Sequence, residues 1–521
     1  VNKRNNVEQQ VKRDTIVVLD FGSQYTQLIA RRVRELSVYS EILPYTIPFT
    51  ELKKRRVKGI ILSGGPASVS DHQAPRCTTD ILELGVPVLG ICYGLQFIAS
   101  AFGSHVTPVT DREFGRVMLT VDDDLDLFAH VKSPTTVWMS HGDRVMELPP
   151  RFDRLAHTDN SPFAAIGWRD RTLYGIQFHP EVSHTEQGLT ILRNFVIGIC
   201  KTRGDWTPSS FISETIERMR ETIGGEKVIC GISGGVDSSV TAVLLHRAIG
   251  DRLTGIFVDN GLLREDEAHE VLSNLEGLGL KISAVQAEDR FLTALKGLTD
   301  PEEKRKAIGR TFIDVFQEEA KRLGGAAYLA QGTLYPDRIE SSPVAGPSAT
   351  IKTHHNVGAL PPTMPFCLIE PLRDLFKDEV RNVGDALGLP HILTHRHPFP
   401  GPGLGVRILG EVTRNNLILL RQADRIMIEE IRSSGLYNRI WQAFCVLLPV
   451  QTVGVMGDRR TYEHVIVIRA VTSLDGMTAD WFRFPNDVLA KISTRLVNEI
   501  DGINRVVYDI TTKPPATIEW E

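Results

Sequence analysis

Nothing in this chain is built to pair cysteines. The six, at 77, 92, 200, 230, 367 and 445, form no C-x-x-C pair and no metal-ligand spacing. That excludes a disulfide scaffold or a zinc module and predicts a reducing, cytoplasmic setting. Apolar runs of the roughly 18 residues needed to span a bilayer are missing too, so no membrane association is expected. Positive charge is not in excess: the formal net charge of −5 argues against a nucleic-acid binder working through a basic surface. Residues 1–14 are polar, lack the apolar core of a secretory signal and are expected to form a mobile tail. What is present is ordinary globular composition, 42% hydrophobic and 24% charged over 521 residues. That length exceeds one core and predicts about three domains.

A Walker ending is also absent, yet the chain carries an anion-binding turn. Lys227–Ile232 reads as a buried strand, and Val240–Leu245 continues with helical spacing. Between them lie Ser233, Gly234, Gly235, Val236, Asp237, Ser238 and Ser239. The glycines allow a tight turn with inward N–H groups, and a helix N-terminus begins at Asp237, so donors and helix dipole converge on one point. No lysine follows the glycines, which separates this loop from a P-loop. Further strands at Leu253–Asp259 and Ala327–Gln331 predict a parallel sheet around it.

The first two hundred residues repeat a strand–turn–helix pattern. Thr15–Asp20, Gly59–Leu62 and Pro87–Ile91 are strand-like, and the last two run into Ser63-Gly64-Gly65-Pro66 and Cys92. Strands alternating with helices predict a parallel α/β sheet, with ligands at the carboxyl ends of its strands. Gly90-Ile91-Cys92-Tyr93-Gly94 is the cysteine form of a nucleophile elbow, and a helix N-terminus there favours the thiolate. The N–H of Tyr93 and one from Gly64 or Gly65 are placed to receive an oxyanion. A strand over Tyr174–Phe178 ends in His179-Pro180-Glu181. Continued in extended form, it would point His179 and Glu181 to one side. A base and a carboxylate to orient it are what a cysteine nucleophile needs.

Residues 341–362 form a long small-residue loop with donors at Lys352, His354 and His355, which reads as a lid over phosphates. The proline- and glycine-rich stretch 397–405 suggests a boundary, and strands and helices beyond it give an α+β pattern. The final residues, with stiff prolines, Lys513, Ile518 and Trp520, predict an ordered end.

Residues 15–200 resemble class I glutamine amidotransferases through Gly90–Gly94 and His179-Pro180-Glu181. The resemblance implies that Cys92 attacks the glutamine carboxamide, His179 shuttles the proton and Glu181 holds the imidazole. It also implies that Gln96, His141 and Asp143 bind glutamine. Residues 15–521 are similar, motif after motif, to the family of glutamine-hydrolysing GMP synthetases. The series is Ser233–Ser239, Gln331–Asp337, Lys352–Asn356, Pro398–Gly405, Val453–Arg459 and Lys513–Glu519. That resemblance implies two parallel-sheet α/β domains followed by a smaller α+β domain: glutaminase 15–205, ATP pyrophosphatase 206–400, and a dimerisation and nucleotide-binding domain 401–521. It further implies glutamine, ATP and xanthosine monophosphate (XMP) as substrates, Asp237 as a Mg²⁺ ligand, and a homodimer. Lys513, Thr517 and Ile518, with Glu519 beside them, would hold the nucleotide monophosphate. The competing expectation is a ligase with the same pyrophosphate loop acting on an NAD precursor or tRNA.

Overall fold

Runs such as Ile16-Val17-Val18-Leu19, all fully buried, lack alternation because both faces of their strands are covered, the mark of a parallel sheet between helices. The computed structural model describes residues 13–340, 366–456, 458–473, 476 and 478–521. They fall into two units that meet in sequence between Phe211 and Ile212.

The first unit begins with β1 (Thr15–Asp20), β2 (Tyr39–Pro44), β3 (Val57–Leu62) and β4 (Val88–Ile91), followed by β5 (Val106–Val121) and β6 (Thr135–Val145). It is completed by β7 (Asp153–His157), β8 (Ala165–Trp168) and β9 (Leu173–Ile176). The sheet order is β2-β1-β3-β4-β9-β8-β7-β5-β6. The five strands from β2 to β9 are parallel, and the rest are an antiparallel extension absent from the expected pattern. The mobile tail expected over residues 1–14 lies mostly outside the described residues. Asp14, however, is buried, with ion pairs to Arg56 and Arg203, so the packed unit begins before residue 15.

In the second unit, β10 (Lys227–Ile232), β11 (Leu253–Asp259), β12 (Ile282–Gln286), β13 (Ala326–Ala330) and β14 (Cys367–Ile369) form a wholly parallel sheet. Its order, β12-β11-β10-β13-β14, reverses direction between β10 and β13, which is where such sheets bind ligands. A long hairpin of β15 (Gln442–Met456) and β16 (Arg459–Thr472) is then flanked by β17 (Asp480–Trp481) and β18 (Ile503–Asp509).

One apolar core runs through this whole unit, from Ile229 and Phe291 to Ile468 and Ile503. The proline-rich stretch expected to mark a boundary contributes to it: Leu404 is a fully buried core member and Phe399 packs against it. Gly403, at φ +62°, brings its backbone so close to Leu262 that a Cβ would lie 2.3 Å from the Leu262 oxygen.

His397, in the same stretch, is buried and stacked on Tyr437 at 3.9 Å, with Nε2 3.0 Å from the Tyr437 carbonyl. Burial pushes its pKa down to about 4, and the Tyr437 contact recovers only part of the loss. The folded state therefore holds a neutral ring where the unfolded chain takes up a proton below its ordinary value of 6.5. Stability is complete above that pH and declines as pH falls toward 4, by about 3 kcal/mol for a displacement of this size. Denaturant titrations followed by tryptophan fluorescence should show this loss, and His397→Gln should remove that part of the pH dependence.

Candidate functional site

At the end of β4 the chain turns so sharply that Cys92 takes φ +53°, ψ −103° before the helix Tyr93–Ala101. A non-glycine residue held in this region is strained, and the surroundings must impose it. The neighbouring glycines show how. A Cβ on Gly90 would lie 2.4 Å from the Gly94 carbonyl carbon, and one on Gly94 would lie 2.4 Å from the Leu62 oxygen. Only hydrogen fits, so strand and helix close together and lift Cys92 at the sheet edge.

His179 arrives from the neighbouring strand, β9, but not by strand alternation as expected. The strand ends at Ile176, and a turn through Pro180 folds Glu181 back onto the imidazole. His179 Nδ1 lies 2.7 Å from Glu181 Oε1, and the carboxylate is fully buried. Burial opposes a charged ring. The negative charge of Glu181 and hydrogen bonds to Cys92 and Glu181 outweigh it and hold the His179 pKa well above its ordinary value. An imidazolium beside sulfur is the environment of a reactive thiolate. Tyr25 packs edge-on against the ring at 5.1 Å, and the Thr185 hydroxyl fixes the His179 carbonyl at 2.6 Å.

Gly64 belongs to this cluster: a Cβ there would lie 3.2 Å from His179 Cε1 and 3.7 Å from the Cys92 Cβ. Gly65 follows against Phe21. Tyr93 directs its hydroxyl away to the Pro75 carbonyl at 2.6 Å, which leaves its N–H as the part at the elbow. Gln96 donates to the Asp143 carbonyl at 2.9 Å and to Gln177 at 3.4 Å. His141 turns inward and is buried, its two ring nitrogens engaged by Asp143 and Glu113. Gln177, which donates to Cys92 Sγ at 3.6 Å, was legible as a polar residue inside an apolar strand two positions before His179. Glu113 carried no local signal.

In the second unit the loop after β10 has the expected form. Gly234 sits at φ +75°, and the helix Val236–Ile249 starts immediately after Gly235. Ser238 and Ser239 turn their hydroxyls back to the Gly235 carbonyl, both at 3.0 Å, so they shape the turn while the first-turn amides stay outward. Asp237 is paired with Lys377 at 2.5 Å through one oxygen. Its other carboxylate oxygen is buried without a partner among the described residues, as are Gln331 Oε1 and Thr333 Oγ1 at the end of β13. Gly332 lies so close that a Cβ there would be 3.2 Å from the Asp237 Cβ. The switch point of the sheet thus gathers a turn of amides, a cation and several unpartnered oxygens. Lys377 opens a surface helix in a polar run, where nothing in the sequence singled it out. Lys352, His354 and His355 lie outside the described residues.

The end of the chain is held by buried cations. Arg407 makes a bidentate pair with Glu519 at 2.8 and 3.1 Å, Gln442 donates to the same carboxylate at 2.7 Å, and Arg469 donates to the carbonyls of Thr517 and Ile518. Lys304, fully buried, pairs with Glu521. Thr517 and Glu519 line an open depression of about 530 Å³ together with Asp509, Thr511 and Trp520. Ile518 is buried among Phe444, Val467 and Val471. Lys513 reaches the Gly476 carbonyl at 2.8 Å and is not among the residues lining the depression.

A parallel-sheet unit with a cysteine–histidine–glutamate constellation, carried on one chain with a parallel-sheet unit whose switch point holds a glycine-rich turn at a helix start, has the build of a glutamine-dependent ligase. Family models agree with it in order along the chain: "Glutamine amidotransferase class-I" matches residues 17–199, "NAD synthase" 209–310 and "GMP synthase C terminal domain" 429–520. The GMP synthase [glutamine-hydrolyzing] of Aquifex aeolicus is 56% identical over 511 residues, covering 98% of this chain and 100% of its own. That of Nitratiruptor sp. is 57% identical, covering 97% and 99%, and that of Thermosynechococcus vestitus 55%, covering 98% and 97%. The chain belongs to the glutamine-hydrolysing GMP synthase family.

Proposed function

We propose that Cys92, His179 and Glu181 generate ammonia from glutamine, and that the loop Ser233–Ser239 and the terminal segment around Lys513–Glu519 use it to convert XMP into GMP. Glutamine-dependent GMP synthesis is the activity of the family to which the chain belongs. The observation that carries the assignment of residues is the strained Cys92 beside a buried His179–Glu181 pair. The thiolate attacks the glutamine carboxamide carbon, and the oxyanion is received by the Tyr93 amide and one from Gly64 or Gly65. His179 passes its proton to the departing ammonia and then draws one from water for release of glutamate. Gln96 and Asp143 hold the substrate.

In the second unit the ring oxygen of XMP attacks the α-phosphorus of ATP, and pyrophosphate leaves into the loop Ser233–Ser239. Ammonia then displaces AMP from the activated carbon. Without that step an oxide would have to leave, which is far too poor a leaving group. Asp237, with one buried oxygen unpartnered, would hold a Mg²⁺ ion, which would supply charge neutralisation on the phosphates. Lys377 stands beside that carboxylate and is placed to follow the phosphates. Lys352, His354 and His355 would close over them. No helix among the described residues is long and apolar enough to cross a membrane, and a cytoplasmic location is part of this reading. So is a homodimer through the β15–β16 hairpin, supported by its exposed cross-strand pair Val453 and Tyr462 and the neighbouring Val455. The functional division of the second unit near Pro400 belongs to the same proposal.

Lys513→Met is expected to raise the KM for XMP roughly ten- to a hundredfold, the worth of a charge-assisted contact, and that for ATP much less. Steady-state kinetics with each substrate varied in turn checks this, and an unchanged XMP KM removes the acceptor site from the terminal segment. Incubation with glutamine, MgATP and a panel of nucleoside monophosphates tests the acceptor itself, since only XMP should yield AMP and an aminated base together.

A further inference from the structure

Behind the nucleophile runs a chain of buried polar groups that the proton-transfer chemistry leaves unused. Gln177 Nε2 donates to Cys92 Sγ at 3.6 Å, and Gln96 Nε2 donates to Gln177 Oε1 at 3.4 Å and to the Asp143 carbonyl at 2.9 Å. That carbonyl also lies 3.0 Å from His141 Nδ1, and His141 Nε2 lies 3.1 Å from Glu113 Oε2. The far end is closed by the hydroxyls of Thr158 and Ser161, which donate to Glu113 at 2.8 and 2.5 Å. From Gln177 to Ser161 none of these six side chains is more than 4% exposed. Strand pairing sets the link, because Glu113 on β5 faces His141 on β6 in register.

A carboxylate taken out of water is costly unless its lone pairs are filled. Burial works to raise the Glu113 pKa, and hydrogen bonds from His141, Ser161 and Thr158 outweigh it and hold the group below its ordinary range. Such a buried pair is a poor way to gain stability, since apolar residues of the same volume generally do as well. Its effect here is geometric. His141 is gripped between an oxygen at each ring nitrogen, so it cannot turn toward a ligand. The Asp143 carbonyl accepts from Gln96 and lies within contact of the His141 ring on its other side. Gln96 thereby commits its NH₂ group on two sides, and its carboxamide oxygen, which accepts no hydrogen bond among the described residues, is the part left for a substrate.

We propose that Glu113 is a positioning residue of the glutaminase site: through His141 and the Asp143 carbonyl it sets the orientation of the Gln96 carboxamide that receives glutamine. The proposal rests on the reading of Cys92 as the glutaminase nucleophile. Glu113→Gln in the full chain should lower glutamine-dependent kcat/KM about tenfold, the scale of one charge-assisted hydrogen bond, mainly through KM. Synthesis supported by ammonium salt should be unchanged.

The deciding readout is a double-mutant cycle with Gln96→Ala. If Glu113 acts through Gln96, Glu113→Gln costs about twofold or less in the Gln96→Ala background. Losses that simply add would make Glu113 a general structural support and overturn the proposal. Ser161→Ala, a milder change, should repeat the pattern at smaller size and decides the matter if Glu113→Gln does not fold. If Cys92→Ala still used glutamine, the site reading would fall and the proposal with it. If Cys92→Ala lost glutamine use while Glu113→Gln behaved as the unaltered chain, the proposal alone would fall.

Discussion

Replacing Cys92 by alanine should abolish glutamine-dependent GMP synthesis, by on the order of 10⁴-fold or more, the scale seen when a nucleophile is removed from a working triad. Synthesis from ammonium salt at alkaline pH should continue at its normal rate. The reason is the division of labour along the chain. The strained elbow at Cys92 and the His179–Glu181 pair belong to the first unit, whereas the loop Ser233–Ser239 belongs to the second. Alanine also tolerates the site sterically, since it removes only the sulfur from a side chain that is already buried. Loss of the ammonia reaction in a folded Cys92→Ala protein would mean that Cys92 supports the second unit structurally, and the two-site reading would fail.

Asp237→Asn should produce the opposite pattern, with both the glutamine and the ammonia reactions falling by roughly a hundredfold or more, as when a preorganised charge at a phosphoryl centre is lost. Asparagine keeps the shape and can still accept from Lys377, so the helix start and the fold should survive. What goes is the negative charge on the unpartnered oxygen. The bland alternative is a partly exposed Asp237–Lys377 ion pair with no role in catalysis. Pairs of that kind contribute about 1 kcal/mol or less to stability, so that alternative predicts a small shift in unfolding and normal pyrophosphate release. Measuring pyrophosphate release against Mg²⁺ concentration separates the two, because only a metal ligand makes the defect depend on the ion.

The parallel cores were legible because burial on both faces leaves an unbroken apolar run, as in Ile16–Leu19, and because Gly90–Gly94 and Ser233–Ser239 announce the turns that follow. Cys92, His179 and Glu181 were readable as residues, but the reason they meet was not: a turn at Pro180, rather than an extended strand, folds the carboxylate onto the ring. The antiparallel extension from β8 to β6 was missed because β7 and β8 are only five and four residues long and show no alternation of exposed and buried residues. Glu113 and Lys377 escaped for a related reason. Each acts across a long sequence separation, on His141 and Asp237 respectively, and local pattern holds no record of such partners. In the stretch 397–405 composition could not show that Gly403 and Gly405 pack closely against Leu262.

The most direct test of the whole account follows one nitrogen atom. Glutamine labelled with ¹⁵N at the amide is supplied with MgATP and XMP, and the GMP, glutamate, AMP and pyrophosphate formed are quantified together. The label should appear in the exocyclic amino group of GMP, with equal amounts of glutamate, AMP and pyrophosphate. Formation of ADP and phosphate in place of AMP and pyrophosphate, or GMP without label while glutamine is consumed, would contradict it.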